Sequence, residues 1–297
     1  MQLKITERKD LDVEKWDALV SRTGTTAIFS YSFYLDAVAE NWCVITNDDY
    51  TVGLALPYTV RARRKILYTP IFVSYLELMG KVDNELLQTV ILKFFKTVEI
   101  ELRSAVLGAP QEMFVTQLLN PEKKRKGQVN RMLNKAKRAN LEVVMTDDWQ
   151  KVFGVVSSEL KGKFSGMTEI SLQRLKKAYS NAHDQKRLKT FEVQLENECV
   201  GGIVCIEANG QLLYSKGACI AEARDNGGMY AAIDAAIGYA NEQNLVFDFG
   251  GSRVEGVRRF NYAFGGEDIE YASYRIDRSP RWFRWVRRLK KRWGKKS

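Results

Sequence analysis

Histidine is nearly absent from this 297-residue chain, and cysteine is scarce. The single histidine, His183, stands between Ala182 and Asp184, in a polar context typical of a helix end. One histidine argues against a histidine-dependent triad and against a histidine-ligated metal centre. The cysteines show no CxxC spacing and no secretory leader pattern precedes them, which predicts reduced, mostly buried thiols in a cytoplasmic protein. They are Cys43, Cys199, Cys205 and Cys219.

The chain also lacks a long apolar run. The longest, residues 90–95, is interrupted by Lys93 and is far shorter than the roughly 20 residues that a transmembrane helix needs. No transmembrane helix is therefore predicted. Hydrophobic and charged contents of 45% and 28% are those of an ordinary globular protein, and the length favours two domains.

An excess of positive charge is present, but it is confined to one end of the chain. Of the 46 Lys and Arg residues, ten lie in residues 278–297, which contain no acid, so the other 36 balance the 36 acidic residues. This tail also carries an apolar stripe at helical spacing, which predicts a helix at an anionic membrane surface. Docking on the first half and disorder are the alternatives. The stripe consists of Trp282, Trp285, Val286, Leu289 and Trp293.

Two halves of the chain repeat one order of predicted elements. Residues 1–120 read as a strand, two helices, three strands, a helix over 86–98, a strand at 106–108 and a last strand at 113–115. Residues 121–277 repeat this order after a stretch at 121–140 with eight Lys or Arg. That stretch is either a basic helix joining the halves or a solvated charged face.

The second half has sharper local signals. Asn209-Gly210 predicts a tight hairpin turn between two strands. The sequence Asn226-Gly227-Gly228 precedes a helix over 229–240 whose apolar side is rich in small residues, which suits close packing on a sheet. From Leu245 the chain then reads as strand, glycine pair, short helix, glycine pair and strand, a βαβ-like unit with Asp248 at a strand end. Binding sites in α/β sheets lie at such strand ends.

The loop before this helix, from Arg224 to Gly228, is the first candidate site. Backbone amides that glycines expose at a helix N-terminus bind phosphate oxygens, and Arg224 would add a charge-assisted contact. The alternative is a plain strand-to-helix turn in which glycine is needed for left-handed dihedral angles.

Asp248, followed by Ser252, Arg258 and Arg259, is the second candidate site. A carboxylate at this position can accept a proton from an amine, and the arginines can bind an acidic substrate group. The alternative is structural: Asp248 caps the following helix or pairs with Arg258.

The order of elements is that of the GNAT N-acyltransferase fold. The segment DFGGSRVEGVRRFNYAFGGEDIEY, residues 248–271, resembles the C-terminal signature of the FemAB-like tandem GNAT acyltransferases, including the BioF2-like group. Leu56-Pro57 and Pro70-Ile71-Phe72 resemble the first half of that group, and Lys123 to Lys137 resembles its inter-domain helix. The similarity extends over nearly the whole chain up to about residue 277 and is most specific from Phe247 to Phe264.

The resemblance implies an α/β protein of two tandem GNAT folds with a mixed sheet, the first degenerate, in residues 1–120 and 121–277. It implies an N-acyltransferase that moves an acyl group, acetyl in the first place, from acyl-CoA to an amine of a cell-envelope or polysaccharide acceptor, without a metal. A backbone amide near Lys216 to Cys219 would stabilise the oxyanion. Placement in the sequence makes Asp248 the predicted base and either Tyr230 or Tyr271 the predicted acid toward the thiolate. The predicted donor-binding residues are Lys216, Arg224, Asn226, Gly227, Gly228 and Ser252, and the predicted acceptor-binding residues are Arg258, Arg259 and Asn261.

Three departures from the family pattern bear on the donor. Met229 stands where GNAT phosphate loops end in a small residue, and Asn261 stands where a lysine often follows the phenylalanine that matches Phe260. No coiled-coil arm is inserted between Leu160 and Leu172, unlike in some tRNA-using members. The last two points favour a CoA thioester over charged tRNA. An aminoacyl-tRNA-dependent transferase and a catalytically silent binding module at the inner face of the membrane remain the alternatives.

Overall fold

A computed structural model describes residues 2–23, 27–161, 167–251 and 253–279. Ser252 and residues 280–297, which include the tryptophan stripe of the tail, lie outside the described residues. The described chain forms one mixed sheet of twelve strands with helices on its faces. The predicted α/β class with a mixed sheet is therefore confirmed.

Two helices of the first half begin directly after an aspartate. Asp12 accepts a hydrogen bond from the Lys15 amide at 3.1 Å and Asp83 accepts one from Leu86 at 2.8 Å, so each carboxylate caps a helix N-terminus. The elements are β1 (Lys4–Glu7), α1 (Val13–Arg22), α2 (Ser32–Val38), β2 (Asn41–Thr46), β3 (Gly53–Arg61), β4 (Arg64–Tyr68), α3 (Asn84–Phe94), β5 (Thr97–Leu102) and β6 (Glu112–Leu119).

The strand predicted at residues 106–108 is wrong, and the helix predicted over 86–98 is too long. The helix α3 ends at Phe94, and β5 occupies Thr97–Leu102. Val98, Ile100 and Leu102 are buried at every second position, which is the period of a strand. Val98 also continues the helical spacing of α3, and this coincidence hid the start of the strand.

In the second half the order of the predicted elements is confirmed. Asn209 and Gly210 have φ values of 52° and 73° and join two antiparallel strands, as the hairpin signal predicts. The basic stretch contains a helix with Val129 and Ala136 buried and its charges exposed. The elements are α4 (Gly127–Arg138), β7 (Leu141–Thr146), α5 (Trp149–Leu160), α6 (Glu169–Asp184), β8 (Leu188–Leu195), β9 (Glu198–Ala208), β10 (Gln211–Cys219), α7 (Ala221–Asp225), α8 (Gly228–Glu242), β11 (Val246–Asp248), α9 (Glu255–Ala263) and β12 (Gly266–Asp277).

The strands of the two halves are interleaved at the middle of the sheet. The order is β1-β2-β3-β4-β5-β12-β6-β11-β10-β9-β8-β7. The C-terminal strand β12 thus pairs with β5 and β6, while β6 pairs with β12 and β11. The pairs β4–β5 and β10–β11 are parallel, one in each half. The division of the chain at residue 120 remains a prediction.

Helices also join the halves. The α2 and α6 helices pack together, and Asn181 on α6 donates to the carbonyl of Phe33 on α2 at 2.8 Å. The Tyr31 hydroxyl donates to Asn209 at 2.7 Å across the same interface. A single apolar cluster accordingly runs from α1 through β2 and β3 to α5 and α6, and a second lies beneath α4, α8 and α9. No helix in the described ranges is long and apolar enough to cross a membrane.

Because β5 and β6 meet only through β12, we expect residues 1–120 not to fold alone. A fragment of residues 1–120 should show no cooperative urea transition by circular dichroism, and the same should hold for residues 121–297 because β6 separates β11 from β12. Mixing the two fragments should restore a cooperative transition. Cooperative unfolding of the isolated 1–120 fragment would contradict this prediction.

Candidate active site at the divergence of two strands

A cavity of about 370 Å³ lies where β10 and β11 diverge. The strands pair in parallel over three positions only, from Gln211 with Val246 to Leu213 with Asp248. Beyond them, β10 has a bulge between Tyr214 and Lys216. Both halves contribute to the wall of the cavity. It consists of Phe29, residues 69–74, Glu101, residues 213–216, Gly250, Gly251, Arg253 and Tyr271.

The glycine pair after β11 forms one side of the cavity. Gly250 and Gly251 have φ values of 75° and 65°, which strain other residues. A Cβ on Gly250 would lie 2.5 Å from the Tyr214 carbonyl oxygen, and one on Gly251 would lie 2.9 Å from the Thr116 Cα. The turn therefore packs directly on the neighbouring backbones. The Gly250 carbonyl accepts a hydrogen bond from Ser74 of the first half at 3.0 Å.

Asp248 is buried beneath this turn. Its Oδ1 accepts hydrogen bonds from the Gly250 amide at 2.8 Å and from the Thr116 hydroxyl at 3.3 Å. Burial raises the pKa of Asp248 to about 6, although these two hydrogen bonds act in the opposite direction. Asp248 lies beside Leu213 in register, so both side chains point to the same face of the sheet. Leu213 lines the cavity, whereas Asp248 lies outside its wall.

Lys216 follows the bulge and projects into the cavity wall. Its ammonium donates to the Ser215 carbonyl at 2.8 Å and lies 5.8 Å from the centre of the Phe72 ring. Burial lowers the pKa of Lys216 to about 8. No acidic side chain in the described part of the chain forms an ion pair with it.

Arg253 and Glu101 form an ion pair of 3.2 Å in the same wall. The Arg253 guanidinium lies 3.8 Å from the centre of the Phe114 ring, and its positive charge acts to lower the pKa of Tyr271. Burial raises the pKa of Tyr271 and outweighs the opposing effect of Arg253. Tyr271 is therefore a neutral phenol at pH 7 and can donate a proton.

The predicted phosphate loop does not line this cavity. Arg224 pairs with Glu159 and with Asp225, each at 3.6 Å. The Asn226 and Gly227 amides donate to carbonyls of α7 at 3.1 Å, so those two donors are already used. A Cβ on Gly227 would lie 2.5 Å from the Met132 carbonyl oxygen on α4. The glycine is needed for helix packing, and phosphate binding by this loop remains a prediction.

Gly228 and Tyr230 lie at the start of α8, outside the cavity wall. A Cβ on Gly228 would lie 3.0 Å from the Ala223 carbonyl oxygen. The Tyr230 hydroxyl accepts a hydrogen bond from Gln128 at 2.9 Å, and its ring packs 4.7 Å from that of Phe260. The structure thus places Tyr271, rather than Tyr230, in the wall of the cavity.

Each of the three predicted acceptor-binding residues on α9 has a protein partner outside the cavity wall. Arg258 pairs with Asp268 at 3.1 Å, not with Asp248. Arg259 forms an exposed pair with Glu255 at 2.6 Å. Asn261 is fully buried and donates to Gln117 at 2.7 Å, so the position where the family often has lysine belongs to the interior here.

Several cavity residues were not predicted from sequence. Glu101 and Arg253 are far apart in the chain and meet because the pairing of β12 with β5 and β6 brings β5 close to the segment before α9. Glu101 did carry one signal: it is an acidic residue in a strand whose alternate residues are apolar. Ser74 carried no such signal. Within the described ranges, no group of three His, Cys, Asp or Glu side chains is placed to hold a metal ion.

The architecture has counterparts among solved structures. FemX superposes with a TM-score of 0.66 and 12% identity, covering 93% of this chain and 98% of FemX. L-PGS from Bacillus licheniformis gives 0.57 and 12%, covering 96% and 97%. A tandem GNAT protein from the clavulanic acid biosynthesis pathway gives 0.51 and 11%, covering 94% and 99%. The fold is a tandem GNAT fold.

This likeness confirms the fold that the sequence resemblance implied. The identities are too low to carry an activity from these proteins to this one. No protein-family model and no curated protein sequence matches the chain. The function must therefore be argued from the cavity.

We expect Lys216→Met to stabilise the protein at pH 7. A lysine whose pKa falls from 10.5 to about 8 on folding destabilises the folded state below pH 8, and this penalty is lost as the pH rises toward 10.5. Allowing for solvent in the cavity, the variant should gain about 1–2 kcal/mol in the free energy of unfolding at pH 7. The gain should shrink toward pH 10 in urea titrations.

The matched control is Lys189→Met. Lys189 is also half-buried, but it pairs with Glu207 at 3.6 Å. Its loss should leave stability unchanged or lower it by up to about 1 kcal/mol. Destabilisation of Lys216→Met at pH 7 would show that the Lys216 ammonium is compensated.

Proposed function

We propose that this protein is an N-acyltransferase that moves an acyl group, acetyl in the first place, from acyl-CoA to an amine. The observation that supports this most directly is the cavity between the diverging strands β10 and β11, beside the bulge at Tyr214 and Lys216. Diverging parallel strands leave backbone amides without strand partners. Such amides can stabilise the oxyanion that forms when an amine attacks a thioester.

Groups for proton transfer lie in the cavity wall and directly beneath its glycine turn. A neutral amine attacks the thioester carbonyl, the new C–N bond forms, and the C–S bond breaks as the tetrahedral intermediate collapses. The amine proton passes to Asp248, whose pKa of about 6 leaves it mostly ionised at pH 7. Tyr271 in the cavity wall is the acid that protonates the leaving thiolate.

Two observations support CoA as the donor. Asn261 is buried at the position where the family often has lysine. The helices α5 and α6 are only eight residues apart, from Leu160 to Glu169, which leaves no room for a coiled-coil arm. The proposed acceptor is an amine of a cell-envelope or polysaccharide precursor, sugar-linked or lipid-linked. A basic tail over residues 278–297 would bring a cytoplasmic enzyme to an anionic membrane surface.

The direct test is calorimetric titration of the full chain with acetyl-CoA, followed by thiol release in the presence of amines such as glucosamine and a lysine-containing cell-wall peptide. Saturable heat and amine-dependent thiol release are expected. Absence of heat at any accessible concentration would remove the CoA-dependent reaction and favour charged tRNA or a silent binding module.

We expect Asp248→Asn to lower kcat/KM for acyl transfer about 100-fold or more. The fold should persist, because the asparagine Oδ1 can still accept from the Gly250 amide. In the wild type, kcat/KM should rise as the pH passes about 6, the pKa of Asp248, since a base must be deprotonated. This rise should be missing from the pH profile of the variant.

The matched control is Asp184→Asn, which changes an exposed acid at the end of α6. Its rate and pH profile should match those of the wild type. Unchanged transfer by Asp248→Asn would assign Asp248 to holding the Gly250 turn instead.

An aminoacyl-tRNA donor is the second candidate, and it rests on α4 and the loop before it. Five basic side chains there are exposed, and none pairs with an acid in the described residues. Such a surface binds phosphates with strong salt dependence. The side chains are Lys124, Lys126, Arg131, Lys137 and Arg138.

If tRNA is the donor, its affinity should fall with salt with a log–log slope of about −4, the value for some five phosphate contacts. Replacing all five basic residues by glutamine should flatten the slope without changing acetyl-CoA binding. A wild-type slope near zero in filter-binding measurements would exclude this donor.

A further inference from the structure

The charge of the cavity is not balanced when Lys216 is protonated. The hydrogen bond described for its ammonium goes to the carbonyl of the adjacent Ser215 at 2.8 Å. Glu101 is the acidic side chain among the described residues of the wall. Its Oε1 already accepts from Arg253 at 3.2 Å and from Ser273 at 3.4 Å. One positive charge is therefore left without a partner.

An ammonium that is partly withdrawn from water and has no counter-charge is costly to keep in a folded protein. A protein can retain one where a ligand supplies the missing charge. The geometry points to an anion subsite at Lys216, which takes a carboxylate or phosphate group of a bound substrate. This subsite deepens the proposed function, since it lies in the cavity where acyl transfer would occur. The substrate that binds in the cavity would then carry an anionic group in addition to its reacting amine or thioester.

Neighbouring groups suit an anion. The Thr69 Oγ1 accepts the Glu101 amide at 2.8 Å, so its own proton can be donated to a ligand. The Arg253 guanidinium has five N–H donors, and its hydrogen bond to Glu101 uses one of them. Two cations and a hydroxyl donor thus stand in the wall with Glu101 as its carboxylate among the described residues. Asp248 lies beneath the glycine turn, outside the wall, and Arg103 rather than Lys216 is the cation that acts on its pKa. A cavity of about 370 Å³ also leaves space for the rest of the substrate.

The experiment measures anion binding by the full chain without turnover. Sodium pyrophosphate is titrated calorimetrically at pH 7.0, with ionic strength held constant by sodium chloride. We expect Lys216→Met to bind at least tenfold more weakly than the wild type. Lys216→Arg, which restores the charge, should stay within about threefold, and Lys189→Met within about twofold.

Lys216→Gln provides a second uncharged variant if the methionine variant fails to fold. Equal pyrophosphate affinity of the wild type and a folded uncharged variant would overturn the subsite. Absence of saturable heat from the wild type would overturn it too.

Two further probes identify which substrate carries the anion. If coenzyme A binding weakens tenfold in Lys216→Met, the group belongs to the donor. If O-phosphoethanolamine binding weakens instead, it belongs to the acceptor, and either result supports the subsite. Dependence of neither probe on Lys216 would overturn it. If anion binding depends on Lys216 but the protein transfers no acyl group, the subsite is supported and the proposed reaction is contradicted.

Discussion

Backbone pairing of β12 between β5 and β6 is the constraint on which the rest of the structure depends. It commits the last strand of the chain to the first half of the sheet. In return, β6 of the first half supplies the neighbour of β11. The two parallel pairs, β4–β5 and β10–β11, are thereby held in one continuous sheet. The cavity can take its wall from both because neither half is free to move away from the other.

The cavity wall and the glycine turn above Asp248 keep titratable groups in surroundings that disfavour charge. Burial raises the pKa of Asp248 to about 6 and lowers that of Lys216 to about 8. Both shifts bring the pKa of the group closer to 7. A substrate that binds beside either group can therefore change its protonation state easily.

The sequence was enough to predict the fold and most of the order of elements, because the Asn209-Gly210 turn and the apolar spacing of α8 are local signals. It failed at β5, where Val98 fits two periods at once. It was weakest at the site. Asp248, Lys216 and Tyr271 were singled out, and the last two line the cavity. The glycines at 227 and 228 suggested a phosphate loop, yet their immediate role is packing on α4 and α7.

The pairing of Glu101 with Arg253 could not be predicted from local sequence patterns. Their pairing spans 152 positions of the chain and depends on which strands are neighbours in the sheet. Strand neighbours across a long connection are set by tertiary packing, and one sequence carries little trace of them. The unpaired state of Lys216 is of the same kind, since it is a property of everything that surrounds the side chain.

The exchange of β6 and β12 between the halves also limits how such a protein can evolve. A GNAT unit that closes its own sheet can be duplicated, swapped or lost as a module. Here, each half ends in a strand that completes the other, so neither half is a portable unit. A substitution in one part of the cavity wall must remain compatible with residues more than a hundred positions away in the chain. Recombination with a relative would preserve the site only if both halves were inherited together.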